Sequence, residues 1–481
     1  MLYDLLSEYN NSSVTPFHMP GHKRNAALLG DGLPYSIDVT EIDGFDDLHD
    51  PRGVLKELSD LAARLYGCRR AFPLVNGATG GILAAIRCAA GSGDTVVMAR
   101  NCHRSVYNAV LLGHLKPAYL LPEIDARSGV CGSITPAQVA GALDEHPSAR
   151  LVIVTSPTYE GITCDIAGIC DAAHRRNVPV LVDAAHGAHL GFSEAFPPSA
   201  VRCGADIAVV SLHKTLPALT QCALALLNSD RLDESRFQAN LSIYQTSSPS
   251  YVLLSSIDRC VRLLLEEKDR LFGEYAGNLT SFSESVTGLK RLKLLCHGAD
   301  TVKDHPAFYG FDPGKLVVVT RGTALSGPAL LARLRSSYRL ELEMAAPEYV
   351  IAMTSVCDGP DAFDRLSNAL LEIDGVAGAA DGSTAPATLI GLPVQAMTPG
   401  EAESLRGEAL PLHASAGQMS LEYVWAYPPG VPFLVPGEII SASVIEQIDL
   451  LAGAGLNVKS TTGMLPRIRT YQEMLISVNQ Y

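Results

Sequence analysis

Between residues 71 and 227, seven short apolar runs alternate with segments of helical periodicity, and this alternation constrains the fold more than any other feature of the chain. The runs read AFPLVNG, DTVVMAR, AYLLP, LVIVTSP, VPVLVDAAH, ADIAVVSLHK and CALALL. Among the segments between them, GGILAAIRCAA (80–90), RSVYNAVLLG (104–113), PAQVAGALDE (136–145) and IAGICDAAHRR (166–176) read as helices. Strands that are apolar on both faces need cover on both faces. The pattern therefore predicts an α/β protein with a mainly parallel sheet between helices. In such sheets ligands collect beyond the carboxyl ends of the strands, so chemistry is sought there.

The rest of the chain divides around this core. Residues 1–50 are dense in Gly, Pro, His and Asp, with the polar clusters HMPGHKRN and EIDGFDDLHD, and predict an extended segment packed over another surface. A large domain is expected over 51–285. A smaller α+β domain is expected over 286–481, where KLVVVT and YVIAMTSV read as strands flanking the helix SGPALLARLRSSY. The Gly/Ala/Ser-rich stretch 376–390 reads as a linker subdividing it. With 37 Lys+Arg against 51 Asp+Glu, the net charge of −14 argues against nucleic acid and anionic membrane as partners. No apolar run approaches the roughly 18 residues of a membrane helix. The start, MLYDLLSEYN, carries two acids and no basic leader. Eleven cysteines with no CxxC spacing suggest reduced thiols, a cytoplasmic setting and no metal.

Four strand ends carry groups that matter chemically. Lys214 in SLHKT follows the strand ADIAVV, where an amine can serve as a Schiff-base lysine or simply remain a solvated charge. Asp183 ends the strand VPVLVD, where a carboxylate can keep a pyridine nitrogen protonated or cap a helix. NGATGG (76–81) turns from strand into helix and offers backbone amides to a phosphate, with Ser211 a further hydroxyl. His103 in NCHRS can lie on an aromatic cofactor ring or sit at a helix start with a backbone partner. Four separate strand ends, each with a group that a pyridoxal site needs, outweigh the alternatives taken singly.

These motifs, with HMPGHKRN, DDLHDPRG, SPTYEG, DAAHGAH, SSPSY and YPPGVPFLVPGE, resemble the Orn/Lys/Arg decarboxylase family of pyridoxal phosphate enzymes from about residue 15 to 440. Because HMPGHKRN begins at residue 18, the resemblance is to the short form without the N-terminal wing domain. It implies the aspartate aminotransferase-like fold, fold type I, and pyridoxal 5'-phosphate as cofactor. It also implies a homodimer, or a higher homo-oligomer, with active sites at the subunit interface. By the same resemblance Lys214 carries the cofactor, Asp183 pairs with its ring nitrogen and His103 stacks on the ring. Gly77, Ala78, Thr79 and Ser211 lie around the phosphate, and His186 and His213 serve proton transfer or support. Ser247 and Ser248, in the stretch running to Tyr251, approach the phosphate from the partner subunit. Glu422, Glu438 and the acids of EIDGFDDLHD are candidates for the substrate's cationic end, with a solvated surface or turn as their alternative.

Ala78 stands where the family has a hydroxyl, Ala184 where an acid is frequent, Gln418 where arginine is usual and Ala426 where proline is common. The implied activity is decarboxylation of arginine, lysine or ornithine to the amine, in polyamine biosynthesis. An aminotransferase of the same fold type, or a catalytically weak pyridoxal-binding regulator, are the alternatives. The chain length of the substrate is not legible, because the three amino acids differ only by methylenes or a guanidinium.

Overall fold

The computed structural model describes residues 1–481 except 13, 17, 31, 299, 380–392, 428–429 and 472–481. Most of the proposed linker, 380–390, and the Pro-Pro of YPPG lie outside the described residues; the preceding helix ends at Val376.

The first 50 residues contain more regular structure than their composition predicts. They open on α1 (Leu2–Asn10) and include the single turn α2 (Ala26–Leu29). Leu2 and Leu6, one helical turn apart, are fully buried against Val39, Phe45, Leu55, Tyr251 and Leu254. The extended-segment expectation is thus corrected at its start: two leucines at i, i+4 suffice to seat a short helix when a partner surface exists.

The large unit continues with α3 (Val54–Tyr66), β1 (Arg70–Leu74), α4 (Gly77–Ala89), β2 (Thr95–Ala99), α5 (Arg104–Leu112), β3 (Lys116–Leu120) and α6 (Pro136–Glu145). It then runs through β4 (Leu151–Thr155), β5 (Ile162–Thr163), α7 (Ile166–His174), β6 (Val180–Asp183), β7 (Ile207–Ser211), the turn α8 (Leu212–Thr215), β8 (Ala223–Leu227) and α9 (Glu234–Tyr244). Local chemistry sets these boundaries. Thr135 and Gln138 form a capping box on α6 with Pro136 in its first turn, and Gly67, at φ +68°, ends α3.

The seven-stranded sheet has the order β1-β8-β7-β6-β4-β2-β3. The five strands from β7 to β3 are parallel, and β8 runs antiparallel to both β7 and β1. Val96 to Met98, Leu151 to Val154, Val180 to Val182 and Ile207 to Val210 are almost wholly buried. Each large apolar side chain there contributes about 1.5–3 kcal/mol relative to exposure. The NGATGG turn brings α4 close to this sheet: a Cβ at Gly81 would lie 2.6 Å from Leu74 Cδ1.

A 35-residue helix, α10 (Tyr251–Ser285), packs against α1, α3 and the later helix α12 (Pro360–Val376), and so joins the large unit to the second unit. In that second unit an antiparallel sheet is built from β9 (Lys293–Leu294), β11 (Lys315–Val319), β12 (Met344–Ala346) and β13 (Tyr349–Met353), with α11 (Gly327–Tyr338) leading into β12. The short β10 (Gly310–Phe311) pairs with β5 of the large unit. Residues 399–471 add two three-stranded sheets. Among the described residues no helix is long and apolar enough to cross a membrane.

Candidate active site

The carboxyl ends of the parallel strands open into a cavity of about 930 Å³. Its wall gathers Gly77, Ala78 and Thr79 from the start of α4, His103 after β2, Asp183 from the end of β6, His186 beyond it, and Ser211, His213 and Lys214 after β7. Groups up to 137 residues apart therefore meet because parallel strands place their exits on one edge. A second cavity, about 240 Å³ and lined by Tyr66, Cys164 and Val210, holds none of them.

Lys214 Nζ lies 2.9 Å from His186 Nε2. Burial lowers the Lys214 pKa from its ordinary value, while Asp183 and Glu343 oppose the shift. Burial, then the charges of Lys315 and Lys214, push the His186 pKa well down, so its imidazole is neutral. Tyr159 leans over His186 with ring centroids 4.5 Å apart. His213 donates from Nδ1 to the Cys222 carbonyl at 3.1 Å, which leaves Nε2 with the lone pair. Burial lowers its pKa, and the Cys222 bond opposes that.

Asp183 is 2 % exposed and accepts from the Ala185 amide at 3.1 Å. The segment after it is a turn and not a helix, so the acid caps no helix. His103 does take the helix-start position: its Nδ1 accepts from the Ser105 amide at 3.2 Å at the head of α5. That bond fixes the ring at the cavity wall. Burial lowers the His103 pKa, with Asp183 opposing and Lys214 assisting.

These residues fit pyridoxal phosphate. Asn76, at the head of α4, makes no side-chain cap bond and instead donates to the Tyr244 carbonyl at 3.0 Å. The Gly77 amide donates to the Gln221 carbonyl at 3.1 Å, and the amides that follow it in the first turn of this 13-residue helix have no acceptor within the helix, which suits them to a phosphate. Ser211 and Thr79 add hydroxyls, and this is where the substitution at Ala78 falls. A buried carboxylate, an imidazole and an amine then surround the space next to that helix start.

Four of the expected residues do not reach this cavity in the single chain. Ser247 and Ser248 are exposed, just ahead of α10, which Ser250 caps. Glu422 is consumed by the Thr462 hydroxyl and amide and by the Arg469 amide, 2.7–3.1 Å away. Glu438 accepts from Arg100 Nη2 at 3.2 Å and from the Val435 amide at 2.8 Å. Of the EIDGFDDLHD acids, Asp46 accepts from the amides of Arg52, Gly53 and Leu55 at 2.7–3.0 Å and shapes the loop into α3. A buried acid that clamps backbone amides looks, in sequence, like one awaiting a ligand.

The cavity supplies other acids. Glu160 bonds the Tyr349 hydroxyl at 2.8 Å, and Glu343 accepts from the Tyr159 hydroxyl; both glutamates line the wall. Glu160 lies in the motif SPTYEG, whereas Glu343 sits in the second unit just before β12, where no sequence pattern marks it. Lys315, at the head of β11, is 1 % exposed with Nζ 3.0 Å from His186 Nδ1. Burial pushes its pKa down to about 8, and Asp312 opposes that.

Residues 1–319 match the family model for the Orn/Lys/Arg decarboxylase major domain, and residues 384–460 match that for the C-terminal domain. Arginine decarboxylase of Bacillus subtilis is 34% identical over 468 residues, covering 95% of this chain and 94% of that one. The constitutive lysine decarboxylase of Escherichia coli is 23% identical, covering 94% of this chain and 77% of its own. Among solved structures, lysine decarboxylase LdcF of Francisella novicida superposes with a TM-score of 0.82 at 17% identity, covering 98% of this chain and 81% of that one. An alanine–glyoxylate aminotransferase from Nostoc sp. superposes with a TM-score of 0.53 at 15% identity, over 66% of this chain and 86% of that one. These likenesses establish the fold-type-I architecture.

Proposed function

The chain belongs to the Orn/Lys/Arg decarboxylase family, and on that premise we propose that this pyridoxal phosphate-dependent decarboxylase acts on arginine, releasing CO₂ and agmatine. The observation that carries the choice of substrate is the pair of glutamates, Glu160 and Glu343, on the wall that also holds Lys214. A guanidinium is planar, always charged and presents five donors in a fixed fork, so it can meet one carboxylate with two parallel bonds and still offer donors to a second, whereas an ammonium has three donors for both. Four relatives named arginine decarboxylase, at 31–34% identity, lend weight to the same choice, while a fifth of that name, at 24%, stands level with the lysine decarboxylases at 23–24%.

When bound, pyridoxal phosphate supplies an electron sink for the electrons left at Cα. The chain's own groups do the rest. Lys214 is the amine that would hold the cofactor, and its lowered pKa would also suit it to moving a proton in the cavity. Asp183 holds a proton at the ring nitrogen by its negative charge. His103 would cover the ring, and the α4 amides, Thr79 and Ser211 would anchor the phosphate. Glu160 and Glu343 would fix the far end of the substrate and so orient its α-carboxylate within the cavity. The neutral His186 offers a hydrogen-bonding edge beside Lys214 without adding a charge.

In this proposal residues 1–50, 51–285 and 286–481 are the working divisions. The enzyme is a cytoplasmic homodimer serving polyamine synthesis, with Ser247 and Ser248 completing the neighbour's phosphate site. Assay of CO₂ release from arginine, lysine and ornithine tests the substrate: arginine is expected to be preferred, and preference for either other amino acid overturns it. Borohydride reduction followed by peptide mapping tests the site, with label expected on Lys214; label on Lys23 or Lys116 overturns it. Sedimentation, and mixing of a Lys214 variant with one lacking the 247–248 hydroxyls, test the shared site. Recovery of activity on mixing is expected, and a fully active monomer excludes it.

A further inference from the structure

Lys315 comes from the second antiparallel sheet, not from the sheet that carries Lys214, and its ammonium is placed behind His186. Room for it is made by Gly161, whose φ is +98°: a Cβ there would stand 2.7 Å from Lys315 Cγ and 2.9 Å from its Cβ. A glycine at that backbone angle lets the lysine stem pass against the turn that ends SPTYEG. Asp312, beside it, is held ionised: burial alone raises its pKa, but His189, 3.0 Å away, the Lys315 charge and the Gly314 amide bring it below the ordinary value.

The direction of the hydrogen bonds follows from donor counting. An ammonium has donors only, so Lys315 donates to His186 Nδ1 at 3.0 Å. A neutral imidazole that accepts at Nδ1 carries its hydrogen on Nε2. That N–H is 2.9 Å from Lys214 Nζ, which can accept it only as the uncharged amine. The reverse order needs Lys315 to be neutral, a form that burial and the Lys214 charge favour but that its three acidic neighbours Asp312, Glu343 and Glu160 oppose.

We infer that Lys315 is a positioning residue which, through His186, biases Lys214 toward its free-amine form. The inference rests on the proposal that Lys214 carries the cofactor. An amine that is uncharged can attack a carbonyl, and each turnover has to regenerate that form. The charged and titratable groups around the relay are Asp183, His103, His213 and Glu343 near Lys214 and His186, and Asp312, Glu160 and Glu343 near Lys315. Replacing Lys315 by a neutral residue removes a single positive charge and leaves all of these in place.

The test is the pH dependence of the rate at which the cofactor-free protein takes up pyridoxal phosphate, followed by visible absorbance, because only the uncharged Lys214 amine can attack the cofactor's carbonyl. In Lys315→Met the midpoint is expected to rise by about one pH unit, a tenfold change in the ratio of protonated to free base, because a nearby positive charge has gone. Lys315→Gln, which keeps an N–H for His186 but no charge, is expected to shift in the same direction and serves if the Met variant does not fold. Lys315→Arg keeps the charge and is expected to return the midpoint to within a few tenths of a unit of the unaltered protein. An unmoved midpoint in the folded neutral variant, or an equal shift in the Arg variant, overturns the inference. Borohydride mapping is run alongside. Absence of label on Lys214 in the unaltered protein overturns the cofactor assignment itself, whereas label on Lys214 with an unmoved midpoint removes only the role of Lys315.

Discussion

Replacing Glu438 with Gln separates a structural acid from a substrate-binding one. Glu438 is 1 % exposed and Arg100 5 % exposed, and their pair ties the strand β2 exit to the C-terminal segment. Arg100 Nη2 stands 3.2 and 3.4 Å from the two carboxylate oxygens, while Nη1 donates to the Tyr107 hydroxyl at 2.7 Å and the Pro432 carbonyl at 2.6 Å. Burial raises the Glu438 pKa and Arg100 opposes it, so the charge is kept by its partner. Removing one partner of a buried pair costs about 3–5 kcal/mol because the other charge is left uncompensated. Arg100 retains its two Nη1 bonds, and the new amide oxygen still accepts from Val435, which places the expected loss near the lower end, about 3 kcal/mol. Urea unfolding reads it through Trp425, the single tryptophan, buried in the same C-terminal segment under the Arg104 guanidinium 4.2 Å from its ring. The double variant Arg100→Met, Glu438→Met is expected to recover most of the loss, since a buried pair exchanged for apolar groups is often neutral. The reasoning is refuted if Glu438→Gln keeps stability within about 1 kcal/mol while its KM for arginine rises tenfold, the signature of an acid that holds substrate.

Asp183→Asn is expected to keep the cofactor but lower kcat by about a hundredfold or more, since an amide cannot hold the ring-nitrogen proton; near-normal CO₂ release would place that control elsewhere. Gly161→Ala, forced to a φ of +98° against the Lys315 stem, is expected to cost at least about 2 kcal/mol in urea unfolding, and an unchanged unfolding midpoint would show that the turn relaxes freely. Burial lowers the His297 pKa to about 4, with Asp312 and Asp300 opposing, and its Nε2 has no hydrogen-bond partner among the described residues. The folded state then refuses a proton that the unfolded chain takes near pH 6.5, so this contribution to stability is intact above about 6.5 and is lost as pH falls toward 4. His297→Gln should flatten that part of the stability profile, measured as urea midpoints at pH 7 and 4.5; an unaltered slope counts against it.

The residues that were readable and those that were not differ in how far the signal travels along the chain. Lys214, Asp183 and His103 each follow an apolar run, and a polar group there is carried to the strand exit by the strand itself, so a dozen residues of sequence place it. The helices α4 to α7 are legible for the same reason, within three residues of the spans their periodicity suggests. Leu2 and Leu6 carry a helical spacing too, but amid so many glycines and prolines the pattern gains meaning only from the groove under Tyr251 and Leu254 that receives it. Glu438 is harder still, because its partner Arg100 lies 338 residues away and no periodicity encodes that distance. Lys315 opens the strand KLVVVT, where a lysine ordinarily marks solvent. What buries it is a turn at Gly161 and a histidine 129 residues back, a packing of one unit on the other. The site accordingly has two halves of different origin. The groups proposed for the cofactor are local to strand ends of one sheet, whereas the acid Glu343 and the amine Lys315 arrive with the second unit. A change in how the two units pack should therefore alter substrate choice and the protonation of Lys214 before it alters retention of the cofactor.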